Sequence, residues 1–124
     1  ITGRAQASVD AAVRALAQAA GDASRVAGAA ADVRDRAAVD RVVTETARRF
    51  GGMNTLINNA GVGTFKDIAL MTDEEWEQVI GTNLTGVFVS DETAADVAGT
   101  LLAIEDAREE AIRRALAREA AELS

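Results

Sequence analysis

The chain has 124 residues, a formal net charge of −7, and no cysteine, histidine or tyrosine. Disulfides, thiolate chemistry, imidazole or phenol acid–base catalysis and a Ser–His–Asp triad are therefore excluded. An acidic chain with no basic footprint is not expected to bind nucleic acid. The apolar share is 48 %, but nearly half of it is alanine, with three Phe and one Trp. A single domain with a thin core is expected, and a second copy of the chain is a natural way to complete it. No apolar run reaches the roughly 18–20 residues of a membrane span, and no signal-peptide pattern opens the chain. A natural protein of this kind is expected in the cytoplasm, with no membrane contact and no metal site.

Ile1-Thr2-Gly3 reads as the end of a strand. Val9, Val13, Leu16 and Ala20 then recur at helical spacing, and Gly21-Asp22 closes that helix. Arg25 to Val33 is a weak strand of mostly Ala and Gly. Asp35 suits the cap of a second helix, with Val39, Val42, Val43, Ala47 and Phe50 on one stripe and Gly51-Gly52 as its stop. Thr55 to Asn58 is the best strand pattern, and the turn-forming Asn59-Ala60-Gly61 follows it. Thr72 with Glu75 forms a capping-box signature for a third helix through Trp76, Val79 and Ile80.

Strands alternating with helices of this length predict an α/β fold with parallel pairing. The unit is expected over residues 1–89. Residues 90–124 form a separate helical segment, with Glu109/Arg113 and Glu110/Arg114 at supporting spacing. Such a helix either bends near Gly99 or reaches a partner, and Ile104, Ala111, Ile112, Ala115 and Leu116 fall near the spacing that suits helix packing.

Four features in order make residues 1–89 resemble a short-chain dehydrogenase/reductase, a Rossmann-fold family using NAD or NADP. Asn58-Asn59-Ala60-Gly61 after a strand is similar to the family's NNAG motif. Asp32-Val33 ends the preceding strand, where the family places an acidic residue beside the adenine. Thr82 to Phe88, preceded by Trp76, looks like the segment carrying the family's catalytic Asn, here Asn83. Ile1-Thr2-Gly3-Arg4 looks like the end of the second strand, where an Arg marks NADP preference. The resemblance thus implies a doubly wound, partial Rossmann-like unit with a short parallel sheet and a long helical C-terminus. It assigns cofactor contacts to Arg4, Asp32, Val33, Asn59, Ala60 and Gly61.

The departures from the family matter as much. Arg4 to Ser8 contains no glycine, so Thr2-Gly3 does not open a glycine-rich phosphate loop. The resemblance ends after Val89, before the family's Ser, Tyr and Lys, and Lys66, the only lysine, is no substitute. Asn83 is then a catalytic remnant, and a helix-interior hydrogen bond is its expected role. Asn58 keeps a structural role. A truncated or engineered member with no complete catalytic function is expected, and no cofactor, NADP being the one indicated if any binds. The alternatives are a residual NADP(H)-binding module and an oxidoreductase subunit that needs a complementary chain.

In the family's sheet the first strand lies between the second and the fourth, so a slot is expected here. Three repairs would close it. Ile1-Gly3 and Thr55-Asn58 could meet in a three-stranded sheet, Val87-Phe88-Val89 could turn from helix to strand, or a second chain could pair through the exposed edge. Self-association through that edge or through the C-terminal helix is the expected partnership.

Overall fold

The computed structural model describes residues 1–122, and in its last helix the side chains of residues 86–99, 106, 107 and 109–114. In chain order come strand β1 (Thr2–Gly3), helix α1 (Gln6–Ala20), strand β2 (Ala29–Ala30), helix α2 (Arg36–Phe50), helix α3 (Asp73–Ile80) and helix α4 (Gly86–Glu122). Short 3-10 turns stand at Ala23–Arg25 and Ile68–Leu70, and a π-helical turn at Gly81–Thr85 leads into α4. The strands pair in parallel, Thr2 opposite Ala29 and Gly3 opposite Ala30, with α1 as the crossover. The architecture is the partial Rossmann-like α/β unit implied by the sequence.

Each helix follows from its residues. α1 buries Val9 and ends at Gly21, whose φ of 67° suits glycine. It lies close to the sheet because Gly28 has no side chain: a Cβ there would stand 2.6 Å from both Val9 Cγ1 and Val13 Cγ2. α2 starts where the Asp35 carboxylate accepts the Ala38 N–H at 3.2 Å, and ends at Gly51 with φ of 78°. Its inner face is Ala38, Val39, Val43 and Ala47. For α3, Thr72 and Glu75 form the full reciprocal capping box.

The core is small. Val39 and Val43 of α2 meet Val89 of α4, with Met53 and Val97 packed at the edges. Two polar ties flank this contact. Arg36 donates to Glu92 at 2.6 Å, and the Thr93 hydroxyl donates to Asp40 at 2.7 Å. Among the described residues no large side chain is fully buried, while Phe65, Ile68, Leu70, Trp76, Leu84 and Phe88 are exposed.

Several expectations are corrected. Thr55–Asn58 joins no sheet, so the three-stranded repair is not made. Its sequence favours a strand, but a strand exists only through a ladder partner, and none is beside it. Val87-Phe88-Val89 is helical, continuing from the π-helical turn into α4. The weak strand at 25–33 shrinks to Ala29–Ala30, because Ala23–Arg25 winds into a turn held by the Asp22 carboxylate. α4 is assigned without a break through both residue 89 and Gly99, a rod of about 55 Å at 1.5 Å per residue. Along it, Glu109/Arg113 and Glu110/Arg114 pair at 3.3 and 2.9 Å as the spacing predicts. Ala111 and Ile112 are exposed, and the side chains of Ile104, Ala115 and Leu116 lie outside the described residues. No helix among the described residues is long and apolar enough to cross a membrane.

Two glycines of α4 separate packing from propensity. Helix propensity alone favours alanine over glycine by about 1 kcal/mol. At Gly99 nothing lies within 4 Å of an added Cβ, so Gly99→Ala is expected to raise stability by up to about that amount. At Gly86 the Cβ would stand 2.7 Å from Val33 Cγ2 and 3.3 Å from the Val33 carbonyl. Overpacking costs about 1–3 kcal/mol, so Gly86→Ala is expected to lower stability. Urea unfolding of the two variants beside the parent chain checks the opposite signs.

Candidate functional site

A cleft of about 700 Å³ opens between β1 and the segment Thr55–Val62, floored by Val39, Val42 and Val43 of α2 and by Gly86 and Val87 of α4. Chain direction explains what collects there. Arg4 follows β1, Asp32 and Val33 follow β2, and Asn59-Ala60-Gly61 follows the segment after α2. These carboxyl-end positions share one rim, as in open parallel α/β units. All six residues assigned to a cofactor by resemblance line this one cleft.

Asp32 is not a free acceptor. Its carboxylate takes the Arg34 backbone N–H at 3.0 Å and grips the Arg34 guanidinium, with the closest contact 2.6 Å. The Arg34 side-chain bond, then its backbone N–H, hold the Asp32 pKa down at about 2, and the Arg4 charge adds a smaller push. Arg4 is exposed, and among the described residues its guanidinium makes no hydrogen bond. Asn59, Ala60 and Gly61 are likewise exposed.

Asn83 does something other than expected. It stands in the π-helical turn and is not on the cleft wall. Its Oδ1 accepts the Val62 N–H at 2.9 Å and its Nδ2 donates to the Val62 carbonyl at 2.8 Å. The amide thus fastens the loop after Gly61 to the start of α4. This is a tertiary clamp, not a bond inside its own helix, because a π-helical turn leaves the side chain facing a loop whose backbone lacks partners. Asn58 has a comparable structural role, its Nδ2 donating to Asp91 of α4 at 2.7 Å. Lys66 is held by Glu75 at 2.6 Å and by the Leu70 carbonyl at 3.1 Å. The Lys66 bond, then the Thr72 backbone N–H, lower the Glu75 pKa.

Sequence reasoning missed Arg34 and Asp91. Arg34 was detectable, since an Asp two residues before an Arg after a strand makes a local turn and an ion pair. Asp91 carried no such signal, because its partner is 33 residues away. Among the described residues no group of three or more acidic or metal-ligating side chains is placed to hold a metal ion.

The model of the short chain dehydrogenase family matches residues 1–101. The chain belongs to the short-chain dehydrogenase family. A (5R,7aS)-5-hydroxy-7a-methyl-1-oxo-2,3,5,6,7,7a-hexahydro-1H-indene-carboxyl-CoA reductase of Mycobacterium tuberculosis is 42 % identical over 64 residues, which are 52 % of this chain and 24 % of that protein. The sepiapterin reductase of Chlorobaculum tepidum is 41 % identical over 58 residues, 47 % of this chain and 24 % of its own. Among solved structures, a short chain dehydrogenase of Mycobacterium smegmatis superposes with a TM-score of 0.72 at 31 % identity, covering 78 % of this chain and 39 % of that one. A variant of actinorhodin polyketide ketoreductase, solved with NADPH, gives a TM-score of 0.73 at 30 % identity over 81 % of this chain and 37 % of its own. The chain thus spans about a quarter of the length of these curated relatives, and its match covers under two fifths of each of these solved ones.

Two measurements test the site's wiring. A carboxyl whose pKa falls on folding stabilises the fold above its unfolded pKa and loses that contribution as pH falls through the folded value. For Asp32 this window runs from about 4 down to about 2. The full shift would correspond to about 2.5 kcal/mol. The Asp32 and Arg34 side chains are 31 % and 43 % exposed and only two residues apart, so less than about 1 kcal/mol is expected. Thermal melts between pH 5 and pH 2 should show this loss in the parent chain and not in Asp32→Asn. For the clamp, Asn83→Ala should speed hydrogen exchange at the Val62 amide, while Asn83→Asp, which keeps the acceptor, gives an intermediate rate.

Proposed function

We propose that this chain is the architectural part of a short-chain dehydrogenase unit and turns over no substrate by itself. One observation carries the reading: among the described residues Arg4 and Asp32 are the only ionisable side chains lining the cleft, and Asp32 is ionised down to pH about 2. Moving a hydride to a carbonyl requires a proton at its oxygen, from a group that exchanges one near neutral pH. No side chain on this wall does so. Asn83 has both ends of its amide committed to Val62, and the chain holds no tyrosine or histidine. The purified chain mixed with NADPH and a panel of ketones should consume the reduced nicotinamide no faster than buffer. Steady ketone-dependent consumption overturns the reading.

A second reading, a residual NADP(H)-binding module, is favoured by the meeting of Arg4, Asp32, Val33, Asn59, Ala60 and Gly61 in one cleft. The residues fit the cofactor only in part. Arg4 is placed and charged to suit a 2′-phosphate. Asp32 is already engaged by Arg34, and Arg4 to Ser8 contains no glycine to bring backbone N–H groups to a diphosphate. NADPH fluorescence titration separates the readings. The first expects no saturation below about 1 mM, and a dissociation constant of about 1–10 µM establishes the second.

A further inference from the structure

The turn that follows β2 touches the π-helical turn at both of its ends. The Gly86 N–H donates to the Gly81 carbonyl, five residues back, and that bond closes the π-helical turn. Each of these two glycines is covered by a residue of the turn after β2. At Gly86 an added Cβ would stand 2.7 Å from Val33 Cγ2 and 3.3 Å from the Val33 carbonyl oxygen. At Gly81 it would stand 3.3 Å from Cδ and 3.7 Å from Cγ of Arg34. Two residues adjacent in sequence thus seat the two ends of one π-helical bond.

The turn has a physical need for such a seat. An α-helical bond would carry the Gly86 N–H to residue 82 instead, and the α form is the common one. That change would rotate α4 against α3 by about 100°, one residue of helix, and take Val89 away from Val39 and Val43. The Arg34 side chain is 43 % exposed, and a long stem of that kind has rotamer freedom to lose. What fixes it is Asp32. Nε of Arg34 donates to Oδ1 at 3.0 Å and Nη2 to Oδ2 at 2.6 Å, a two-point grip that sets the plane of the guanidinium. Oδ1 also accepts the Arg34 backbone N–H at 3.0 Å, and the Asp35 N–H donates to the Asp32 carbonyl at 3.0 Å. Asp32 itself lines the cleft.

We infer that Asp32 and Arg34 form a latch between the cleft and the π-helical turn: the carboxylate keeps Arg34 seated on Gly81, and a ligand whose own N–H donors claim that carboxylate releases the seat and loosens the turn that carries Asn83. The coupling then reaches the loop after Gly61, because Asn83 holds both polar groups of Val62. By linkage the reverse also holds: a turn kept in the π form favours Arg34 on Asp32 and opposes such a ligand. The latch is independent of whether the chain turns over a substrate or binds NADP(H).

Amide exchange of the isotope-labelled full chain at Gly86 and Val62 reads the latch, while the amides of Val43 and Ala47 in α2 report opening of the whole fold. Arg34→Met keeps an apolar stem over Gly81 and removes the guanidinium. It is expected to speed exchange at Gly86 and Val62 about tenfold and to leave α2 unchanged. Asp32→Asn, which stands in for a claimed carboxylate, is expected to act in the same direction. The double variant should exchange within about twofold of Arg34→Met, since both changes act through one contact. Parent-like rates in either single variant overturn the inference; in Arg34→Met they would mean that stem packing alone seats the turn. So do rates in the double variant that multiply the two single effects. Equal acceleration in α2 overturns it as well, because the loss is then global and no latch is involved.

Discussion

Every backbone N–H and C=O needs a partner, and in this molecule that requirement is met helix by helix but not across the sheet. A helix satisfies its groups from its own sequence. A strand depends on a neighbour, and Thr55–Asn59 has none. The four-residue ladder of β1 and β2 is too short to hold a domain together. What joins the chain is therefore the packing of α2 on α4, while the sheet is held by α1 and the segment after α2 is tied to Asp91 and Asn83. The open cleft is the geometric result: β1 and the segment after α2 line it without pairing to each other.

That arrangement gives a few polar contacts more weight than they usually carry. The apolar contact of Val39, Val43 and Val89 is small, and burying such side chains contributes about 1.5–3 kcal/mol each. The half-exposed pair Arg36–Glu92 adds little on that scale. Its value lies more in register, since together with Thr93–Asp40 it fixes which turns of α2 and α4 face each other. Asn58–Asp91 and Asn83–Val62 do the same for the irregular segment. Those two side-chain contacts hold a loop whose backbone makes no hydrogen bond between Thr55 and Asn59 among the described residues.

The helices were legible because their signals are local. Asp35, Thr72 with Glu75, Gly21 and Gly51 sit where caps and stops must be, and each forms the bond or dihedral that its residue type predicts. Thr55–Asn58 carries equally sound local evidence for a strand. It forms none because pairing is a relation between segments, which one segment's composition does not contain. The meeting of Arg4, Asp32 and Asn59–Gly61 was legible too, since strand–helix order alone sends those ends to one rim. The engagement of Asp32 by Arg34 was within reach two residues away, whereas Asp91 could be matched to Asn58 only by folding the chain.

Asp32 and Asn83 show how groups of an incomplete site are satisfied. A carboxylate or an amide with no ligand bonds to a donor or acceptor that the fold places beside it, a net gain of about 1 kcal/mol over its bonds to water. Asp32 turns to the guanidinium of Arg34, and Asn83 closes on both polar groups of Val62. Any ligand that used them would first have to displace those partners, so its net gain would be only the difference between two similar hydrogen bonds.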